Sequence, residues 1–337
     1  MSFKQLQSKL LISLASGLVV VIVLSLLSDV QAVGTSLSNF QWMILPLVLG
    51  FTVLNYALRW LKWEYYLRRL KLGQGVSTAD SALLFTAGLV MSVTPGKIGE
   101  VFKAYLLRRI NGTPVTASAP IVLVERLTDG FAMLFLMALG LTLYPPAWLF
   151  FIVLVVVSVA GIVVLQYRPL CERVLAWIST SLPFGEKVGP KLVTIYASTT
   201  QLLDWRVLLV STLISIVSWG FECLAFYYVL TGLGVEGTLL LLQQATFIFA
   251  ASTLFGLVSF LPGGLGTSEA SSAGLLIVLV GVTGSVATAA TIIIRFCTLW
   301  FGVLLGMVGL TLFMQRYRTG ESVSVSSETL PGTGEQI

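Results

Sequence analysis

A Pro-Gly break lies in the middle of an apolar stretch of the sequence, and charged residues follow it directly. The stretch "TPGKIGE", residues 94–100, places Lys97 and Glu100 on the same face of a helix that begins after the break. Proline removes a backbone donor and glycine lets the chain reverse, so we expect a turn here. Unpaired N–H groups at a helix start favour an anion, and Lys97 strengthens that preference. The pattern indicates a phosphate site at Lys97, with Glu100 as a partner of Lys97 or Arg126.

A second break resembles the first. The stretch "LPGGLGTSEAS", residues 261–271, shares the pattern Pro-Gly-x-aliphatic-Gly with "TPGKIGEVFKA", residues 94–104. It carries Glu269 near the start of the next helix, where an acid can be favourable for the helix dipole alone. Glycines let the backbone approach a ligand or form an anion-binding nest, but they also permit tight helix packing. Both interpretations stay open for Gly96, Gly99, Gly263, Gly264 and Gly266.

Each break is followed by an apolar stretch that contains one arginine, Arg126 in "IVLVERLTDG" and Arg295 in "TIIIRFCTLW". A charge at the centre of a membrane helix costs roughly 2.5–3.5 kcal/mol, so each arginine is expected to face a partner or water. Structural pairing with an acid is the alternative for Arg126. Glu125, Asp129 and Glu222 also lie within apolar stretches.

Charges of both signs lie within the apolar regions, so the predicted path does not attract anions alone. The positive ones are Lys97, Lys103, Arg126 and Arg295, and the negative ones are Glu100, Glu125, Asp129, Glu222 and Glu269. The surplus carboxylates could accept a cationic headgroup, bind a coupling proton or stay protonated. We expect the substrate path to be lined by Lys97, Glu100, Arg126, Glu269, Arg295 and the five glycines of the breaks. We expect Glu125, Asp129 and Glu222 to act in pairing or coupling.

The composition is that of a polytopic membrane protein. Of the 337 residues, 56% are hydrophobic and 10% are charged, and the mean hydropathy is +0.95; soluble domains average roughly 45–50% and 25%. The chain has no histidine, which excludes imidazole-based zinc sites and His-based acid–base catalysis. Its three cysteines form no CxxC pair, so we expect neither disulfides nor a structural metal. The net charge of +5 is divided among the ends of apolar spans, which indicates topology rather than nucleic-acid binding.

Six apolar segments are long enough to cross a bilayer, near residues 10–27, 42–60, 118–143, 147–166, 206–231 and 284–314. The first is interpreted as an uncleaved anchor because its apolar core is longer than that of a typical signal peptide. Two further regions, 80–109 and 239–281, are split by the breaks. Each is predicted to form a re-entrant hairpin whose tip lies inside the membrane. Residues 239–261 are also long enough for a full span, and the sequence leaves that choice open.

The distribution of basic residues predicts the topology. Loops 28–41, 144–146, 232–238 and 281–283 contain no Lys or Arg and are assigned to the exterior. Both termini are then cytoplasmic, and the two hairpins open to opposite sides. Sixteen of the twenty Lys and Arg residues fall at ends assigned to the cytoplasm: Lys4, Lys9, Arg59, Lys62, Arg68, Arg69, Lys71, Arg108, Arg109, Arg168, Arg173, Lys187, Lys191, Arg206, Arg316 and Arg318.

Each hairpin, with the span before it and the span after it, forms a unit, and the two units run in opposite directions. Such an inverted-topology repeat places a substrate site near the midplane and allows its alternate exposure. The expected fold is all-α, with six full spans and two re-entrant hairpins in one domain. Its expected parts are the domain 1–315, the repeat units 42–143 and 206–314, an amphipathic cytoplasmic connector at 167–205 and a disordered cytoplasmic tail at 316–337.

Three motifs together resemble a known family. "SVTPGKIGEVFKAYLL", "ERLTDG" and "LPGGLGTSEA" are similar to the lysylphosphatidylglycerol synthase transmembrane-region family, the flippase-like domain also found at the N-terminus of multiple peptide resistance factor. The resemblance covers about residues 10–315. It implies translocation of a lipid or a lipid-linked glycan across the bacterial cytoplasmic membrane. The resistance factor continues into a soluble aminoacyl-transferase domain and this sequence does not, so we do not expect lysyl transfer here.

The expected function is flippase-like transport of a phospholipid or lipid-linked glycolipid headgroup, with membrane lipids as partners and no cofactor. The alternatives are a membrane enzyme that acts on a lipid-linked substrate, with Glu100 or Glu269 as its base, and a carrier of ions or small solutes. A separate lipid-modifying enzyme and a second copy of the chain are further candidate partners.

Overall fold

The computed structural model describes residues 30–94, 98–181 and 185–317. The predicted anchor at 10–27 and the predicted tail beyond residue 317 lie outside the described residues. So do Pro95, Gly96 and Lys97 at the centre of the first break.

Regular structure within the described ranges is helical. The α-helices there are α1 (Val30–Ser38), α2 (Leu45–Arg69), α3 (Thr78–Gly88), α4 (Phe102–Asn111), α5 (Val115–Ala138), α6 (Ala147–Gln166), α7 (Arg168–Ser181), α8 (Gly185–Leu202), α9 (Trp205–Gly232), α10 (Leu239–Val258), α11 (Thr267–Leu275), α12 (Gly284–Arg295) and α13 (Phe301–Arg316). Short 3₁₀ turns occupy Trp42–Ile44, Leu89–Met91, Ile98–Val101 and Leu141–Leu143, and π-helical turns occupy Leu276–Val280 and Phe296–Trp300. Helix α1 lies where the sequence predicts an exterior loop, and it buries Val33.

Five helices in the described ranges are long and apolar enough to cross a membrane: Trp42–Arg69, Ala147–Gln166, Trp205–Gly232, Leu239–Val258 and Gly284–Arg316. Four of them match predicted spans. The fifth, Leu239–Val258, is the first arm of the second predicted hairpin; at 1.5 Å per residue its 20 residues measure about 30 Å, the thickness of the hydrocarbon core. The predicted span at 118–143 forms α5, an apolar helix of 24 residues with three charged residues near its middle. The chain is an all-helical, multi-pass membrane protein.

Two shorter apolar helical segments adjoin the breaks, Thr78–Met91 before the first and Thr267–Val280 after the second. The side chain of Thr94 closes the first break, since its hydroxyl donates to the carbonyl of Met91 at 2.7 Å and accepts the N–H of Gly99 at 2.8 Å. A Cβ atom on Gly99 would lie 2.5 Å from this threonine side chain. Close packing against Thr94 therefore requires glycine at position 99.

The second break reverses through three glycines with positive φ, namely Gly263, Gly264 and Gly266 at 60°, 68° and 88°. Residues other than glycine rarely adopt this conformation. A Cβ on Gly264 would lie 2.9 Å from the Cα atom of Gly256 in α10. The two breaks also approach each other, because a Cβ on Gly263 would lie 3.5 Å from the Cα atom of Val93.

The helices that flank the first break pack against the helices that flank the second break. Helix α2 packs against α9, α3 against α13, and α10 against α5. Glycines allow the close approach of α13 to α3, since a Cβ on Gly306 would overlap the backbone nitrogen of Val90. Small residues have this role at many helix contacts in membranes, where backbones approach closely.

The loops group at two ends of the bundle. At one end, the backbone N–H of Gln41 donates to the carbonyl of Gly232 at 3.0 Å and joins two of the loops that contain no basic residues. Near it, Gln243 and Gln244 in the first turns of α10 donate to the carbonyls of Leu139 and Leu279, both at 2.6 Å. At the opposite end, Asn111 donates to the carbonyls of Leu72 and Gln74, and Arg109 donates to the carbonyl of Tyr317. The start and the end of the first broken region thus lie near the same end.

Candidate functional site

Seven ionisable side chains meet inside the bundle. Arg59 and Lys62 come from α2, Glu100 from the 3₁₀ turn after the first break, Lys103 from α4, and Glu125, Arg126 and Asp129 from α5. Each side chain is at most 14% exposed. We call this group the charged cluster. With four cations and three anions, it carries one excess positive charge when every member is ionised.

Glu125 accepts hydrogen bonds from three cations of the charged cluster. It is fully buried, and its carboxylate lies 2.6 Å from Lys103, 3.2 Å from Arg126 and 3.5 Å from Arg59. The ammonium of Lys103 also lies over the rings of Trp63 and Phe85. These contacts hold Lys103 firmly, since a desolvated cation gains from both carboxylate and aromatic partners.

Lys62 and Asp129 form the tightest ion pair of the charged cluster. The ammonium nitrogen of Lys62 lies 2.5 Å from the Asp129 carboxylate, and Lys62 is fully buried. Ser215 of α9 donates to the same carboxylate oxygen at 2.9 Å and accepts from Lys62 at 2.6 Å. The other oxygen of Asp129 lies 3.1 Å from Arg126. This pair links α2, α5 and α9.

Glu100 is held more loosely than the other two anions. Its carboxylate oxygens lie 3.1 Å from Arg126, 3.7 Å from Lys103 and 3.8 Å from Arg59. Although the residue is only 3% exposed, neither oxygen forms a hydrogen bond with a described residue. Glu100 therefore faces three cations without a directed bond to any of them.

Arg295 and Glu269 form a second ion pair at the other break. The Arg295 Nε atom donates to Glu269 at 2.5 Å, and its Nη2 atom donates to the carbonyl of Gly263 at 2.7 Å. The second oxygen of Glu269 accepts the N–H of Gly266 at 2.7 Å, so this acid also caps α11. A π-helical turn follows Arg295 directly. Such turns often occur at functional sites.

Two adjacent cavities lie between the charged cluster and this second pair. Their volumes are about 80 and 70 Å³, enough for a few water molecules but not for a lipid headgroup. Arg59 and Glu222 line the first cavity, and Arg126 and Asp129 line the second. Both cavities share Trp219, Thr253, Ser268, Arg295 and Leu299.

The predicted site residues form two groups in the structure. Glu100, Glu125, Arg126 and Asp129 meet in the charged cluster, and Glu269 and Arg295 pair beside Gly263, Gly264 and Gly266. Glu222 is buried and lines the first cavity, and Gly99 packs against Thr94. Lys97 and Gly96 lie outside the described residues. In this structure Arg126 forms ion pairs with three acidic side chains, those of Glu100, Glu125 and Asp129.

Counting basic residues places Arg59 and Lys62 at a cytoplasmic end of a span, and the structure shows in addition that both side chains point into the bundle. Both are buried, at 5% and 0% exposure, because α2 extends to Arg69 and its inner face continues past them. The helical spacing could have revealed this, since Asn55, Arg59, Lys62 and Tyr66 follow one another at intervals of three or four residues and share a face. A polar face on an apolar helix indicates the interior of a bundle.

Comparison with known proteins agrees with this architecture. The profile of the "Lysylphosphatidylglycerol synthase TM region" matches residues 11–306. Two proteins of Methanothermobacter thermautotrophicus, each named "UPF0104 membrane protein", are 28% and 27% identical to the chain; the matches cover 80% and 84% of this chain and 83% and 87% of those proteins. A UPF0104 membrane protein of Pyrococcus horikoshii is 32% identical over 94 residues, 28% of this chain and 27% of that protein. The chain therefore belongs to the lysylphosphatidylglycerol synthase transmembrane-region family.

Proposed function

We propose that the protein is a flippase-like transporter. In this proposal the headgroup of a phospholipid or of a lipid-linked glycolipid passes through the middle of the bundle while the lipid's chains stay in the bilayer. One observation carries the proposal: the two breaks approach each other at Val93 and Gly263, beside cavities lined by Arg126 and Arg295. Buried charge at broken helices is costly, and membrane proteins retain it mainly along substrate and ion paths.

The reciprocal packing supports an inverted repeat. The short arm of the first unit, α3, packs on the last helix of the second unit, α13, and the first arm of the second unit, α10, packs on α5 of the first. Helices α2 and α9, which precede the two breaks, pack against each other. In transporters built this way, one unit moves against the other and exposes the central site to each side in turn.

The size of the cavities fits a transporter in an occluded arrangement. Cavities of about 80 and 70 Å³ hold water but exclude a headgroup, so passage requires the broken segments to separate. The glycines of the second break supply the backbone freedom for such movement. We place the protein in the cytoplasmic membrane with the ends rich in Lys and Arg toward the cytoplasm.

A reconstitution experiment tests the proposal. The purified protein is inserted into liposomes with lipids that carry a fluorescent headgroup, and a membrane-impermeant reductant reports the fraction that reaches the outer leaflet. We expect faster exchange than in empty vesicles. The double variant Arg295→Gln with Glu269→Gln should slow exchange at least tenfold, because it removes the second pair without leaving a lone buried charge. Arg173→Gln, a change on the exposed face of α7, is the matched control and should not alter the rate.

Other outcomes would reject the proposal. Exchange no faster than in empty vesicles, for phospholipids and polyprenyl-phosphate lipids alike, would exclude a flippase. A chemically altered lipid in the mass spectrum would indicate an enzyme instead. Flux of an ion or a small solute without movement of lipid would indicate a carrier.

A further inference from the structure

We infer that the carboxylate of Glu100 occupies the position that the phosphate of the substrate takes during transport. The inference rests on the proposed function and adds a substrate class, namely lipids whose headgroup is attached through a phosphodiester. In this view Arg59 and Arg126 form the anion site, and Glu100 closes it when no lipid is bound.

The hydrogen bonding around Glu100 is incomplete on both sides. The buried carboxylate has no hydrogen bond with a described residue, and the Nε atoms of Arg59 and Arg126 have no acceptor there. The same two guanidinium groups approach Glu100 through their Nη2 atoms, at 3.1 Å from Arg126 and 3.8 Å from Arg59, and both Nη2 atoms donate to Glu125. Buried donors and acceptors are almost always satisfied, so an unbonded carboxylate next to two arginines that each keep an unused Nε donor indicates a site suited to another anion. Guanidinium groups bind phosphate oxygens through two parallel hydrogen bonds. Glu100 forms no such pair of hydrogen bonds with either arginine.

The chain segments that carry these groups differ in how firmly they are held. Arg59 and Arg126 belong to α2 and α5, helices of 25 and 24 residues. Glu100 belongs to a 3₁₀ turn of four residues directly after the first break. Lys103 follows on the same segment, but Glu125 holds its ammonium at 2.6 Å. A small displacement of the turn would therefore remove Glu100 and leave the two arginines in place.

A phosphodiester matches the charge of the Glu100 carboxylate better than a free phosphate does. With Glu100 in place the charged cluster has one excess positive charge, and without Glu100 it has two. A phosphodiester carries a single negative charge and would restore the original balance. A phosphate monoester or free phosphate carries about −1.5 to −2 at pH 7, more than the single charge of the Glu100 carboxylate that it would replace. Both arginines line the cavities, Arg59 the first and Arg126 the second, so a headgroup that enters either cavity meets one of them.

The experiment compares Glu100→Gln with Glu125→Gln. Both replace a buried carboxylate of the same cluster with a neutral amide of the same shape, but only Glu100 lies in the proposed phosphate position. Each detergent-solubilised variant is titrated with phosphatidylglycerol, with a diacylglycerol that lacks phosphate, and with inorganic phosphate. Thermal unfolding is monitored, because a ligand that binds the folded state raises the midpoint by mass action.

We expect Glu100→Gln to bind phosphatidylglycerol at least tenfold more tightly than the natural chain, and Glu125→Gln to show no such gain. The diacylglycerol should stabilise none of the proteins, and inorganic phosphate should stabilise Glu100→Gln less than phosphatidylglycerol does. Equal affinity of Glu100→Gln and the natural chain would overturn the inference. An equal gain in Glu125→Gln would also overturn it, since the effect would then come from net charge alone. Either result leaves lipid exchange by the natural chain, and with it the proposed function, intact.

A second comparison applies if Glu100→Gln does not fold. In the natural chain, phosphatidylglycerol should raise the unfolding midpoint, and Arg126→Lys should weaken this effect at least tenfold because lysine lacks the planar fork. Arg295→Lys is the comparison, because Arg295 lies outside the proposed phosphate position. This substitution should weaken the stabilisation by phosphatidylglycerol less than Arg126→Lys does. If Arg126→Lys retains the full effect, the assignment of Arg126 to the phosphate is wrong.

Discussion

Asn55 and Ser218 join α2 and α9 through reciprocal hydrogen bonds. The Nδ2 atom of Asn55 donates to the carbonyl and to the hydroxyl of Ser218, both at 2.9 Å, and the hydroxyl of Ser218 donates to the carbonyl of Asn55 at 3.1 Å. Both residues are buried. Each side chain thus bonds the backbone of the facing helix, and this contact lies where the two helices that precede the breaks pack together. Asn55 also lines the first cavity.

The first prediction concerns this contact. Asn55→Leu and Ser218→Ala should each destabilise the protein, and the double variant should lose less than the sum, because the two side chains share the same bonds. We expect a coupling free energy of about 0.6–1.7 kcal/mol, the range found between membrane helices. Unfolding in mixed detergent micelles measures it. The control combines Asn55→Leu with Thr311→Val. The hydroxyl of Thr311 is exposed and donates to a carbonyl of its own helix, so the losses of stability of these two variants should add. A coupling near zero for the first combination would show that the contact adds no stability.

The second prediction concerns the pair of Lys62 and Asp129. Lys62→Met should lower the free energy of unfolding by about 3–5 kcal/mol, because it leaves a buried carboxylate without its closest partner. Adding Asp129→Leu should restore most of the loss, since removing both charges removes the desolvation cost as well. Arg69→Met is the matched control: its ion pair with Asp204 is 3.9 Å long and solvent-exposed, and it should cost less than about 1 kcal/mol. A double variant no more stable than Lys62→Met would contradict this account.

Much of the helical arrangement follows from the sequence, because apolar length and Pro-Gly breaks are local signals. The proximity of Glu100 to Arg126 and of Glu269 to Arg295 agrees with the expected pairing of each buried charge, although the partner of each could be chosen only by the fold. Counting basic residues places Arg59 and Lys62 at a helix end but does not show which face of the helix they occupy. Their burial depends on α5 and α9, which lie far away in the chain.

The third prediction concerns the contact between α13 and the first short arm. Gly306→Ala should destabilise the protein by about 1–3 kcal/mol, since the new methyl group overlaps the backbone of Val90 and the helices must move apart. Gly50→Ala provides the control, because a Cβ on Gly50 has no neighbour within 4 Å. That change should be neutral or stabilising, as alanine favours a helix. Equal midpoints of thermal unfolding for the two variants would show that this glycine contact does not limit helix approach.

The fourth prediction concerns the two ends of the bundle. Arg108 and Glu236 are exposed at opposite ends, Arg108 near the end where Asn111 bonds Leu72 and Glu236 in the loop after α9. In a chain with Cys171→Ser, a membrane-impermeant thiol reagent should label Arg108→Cys only from the cytoplasmic side and Glu236→Cys only from the exterior, while the buried Cys223 and Cys297 give low background. The reason is the hairpin: a first broken region that turns back brings residue 108 to the side on which it began. If residues 78–111 crossed the bilayer once, the three spans between the two positions would still separate them, but the labelling would be reversed: Arg108→Cys from the exterior and Glu236→Cys from the cytoplasm. The opposed arrangement of the two breaks, on which alternate exposure depends, would then be lost.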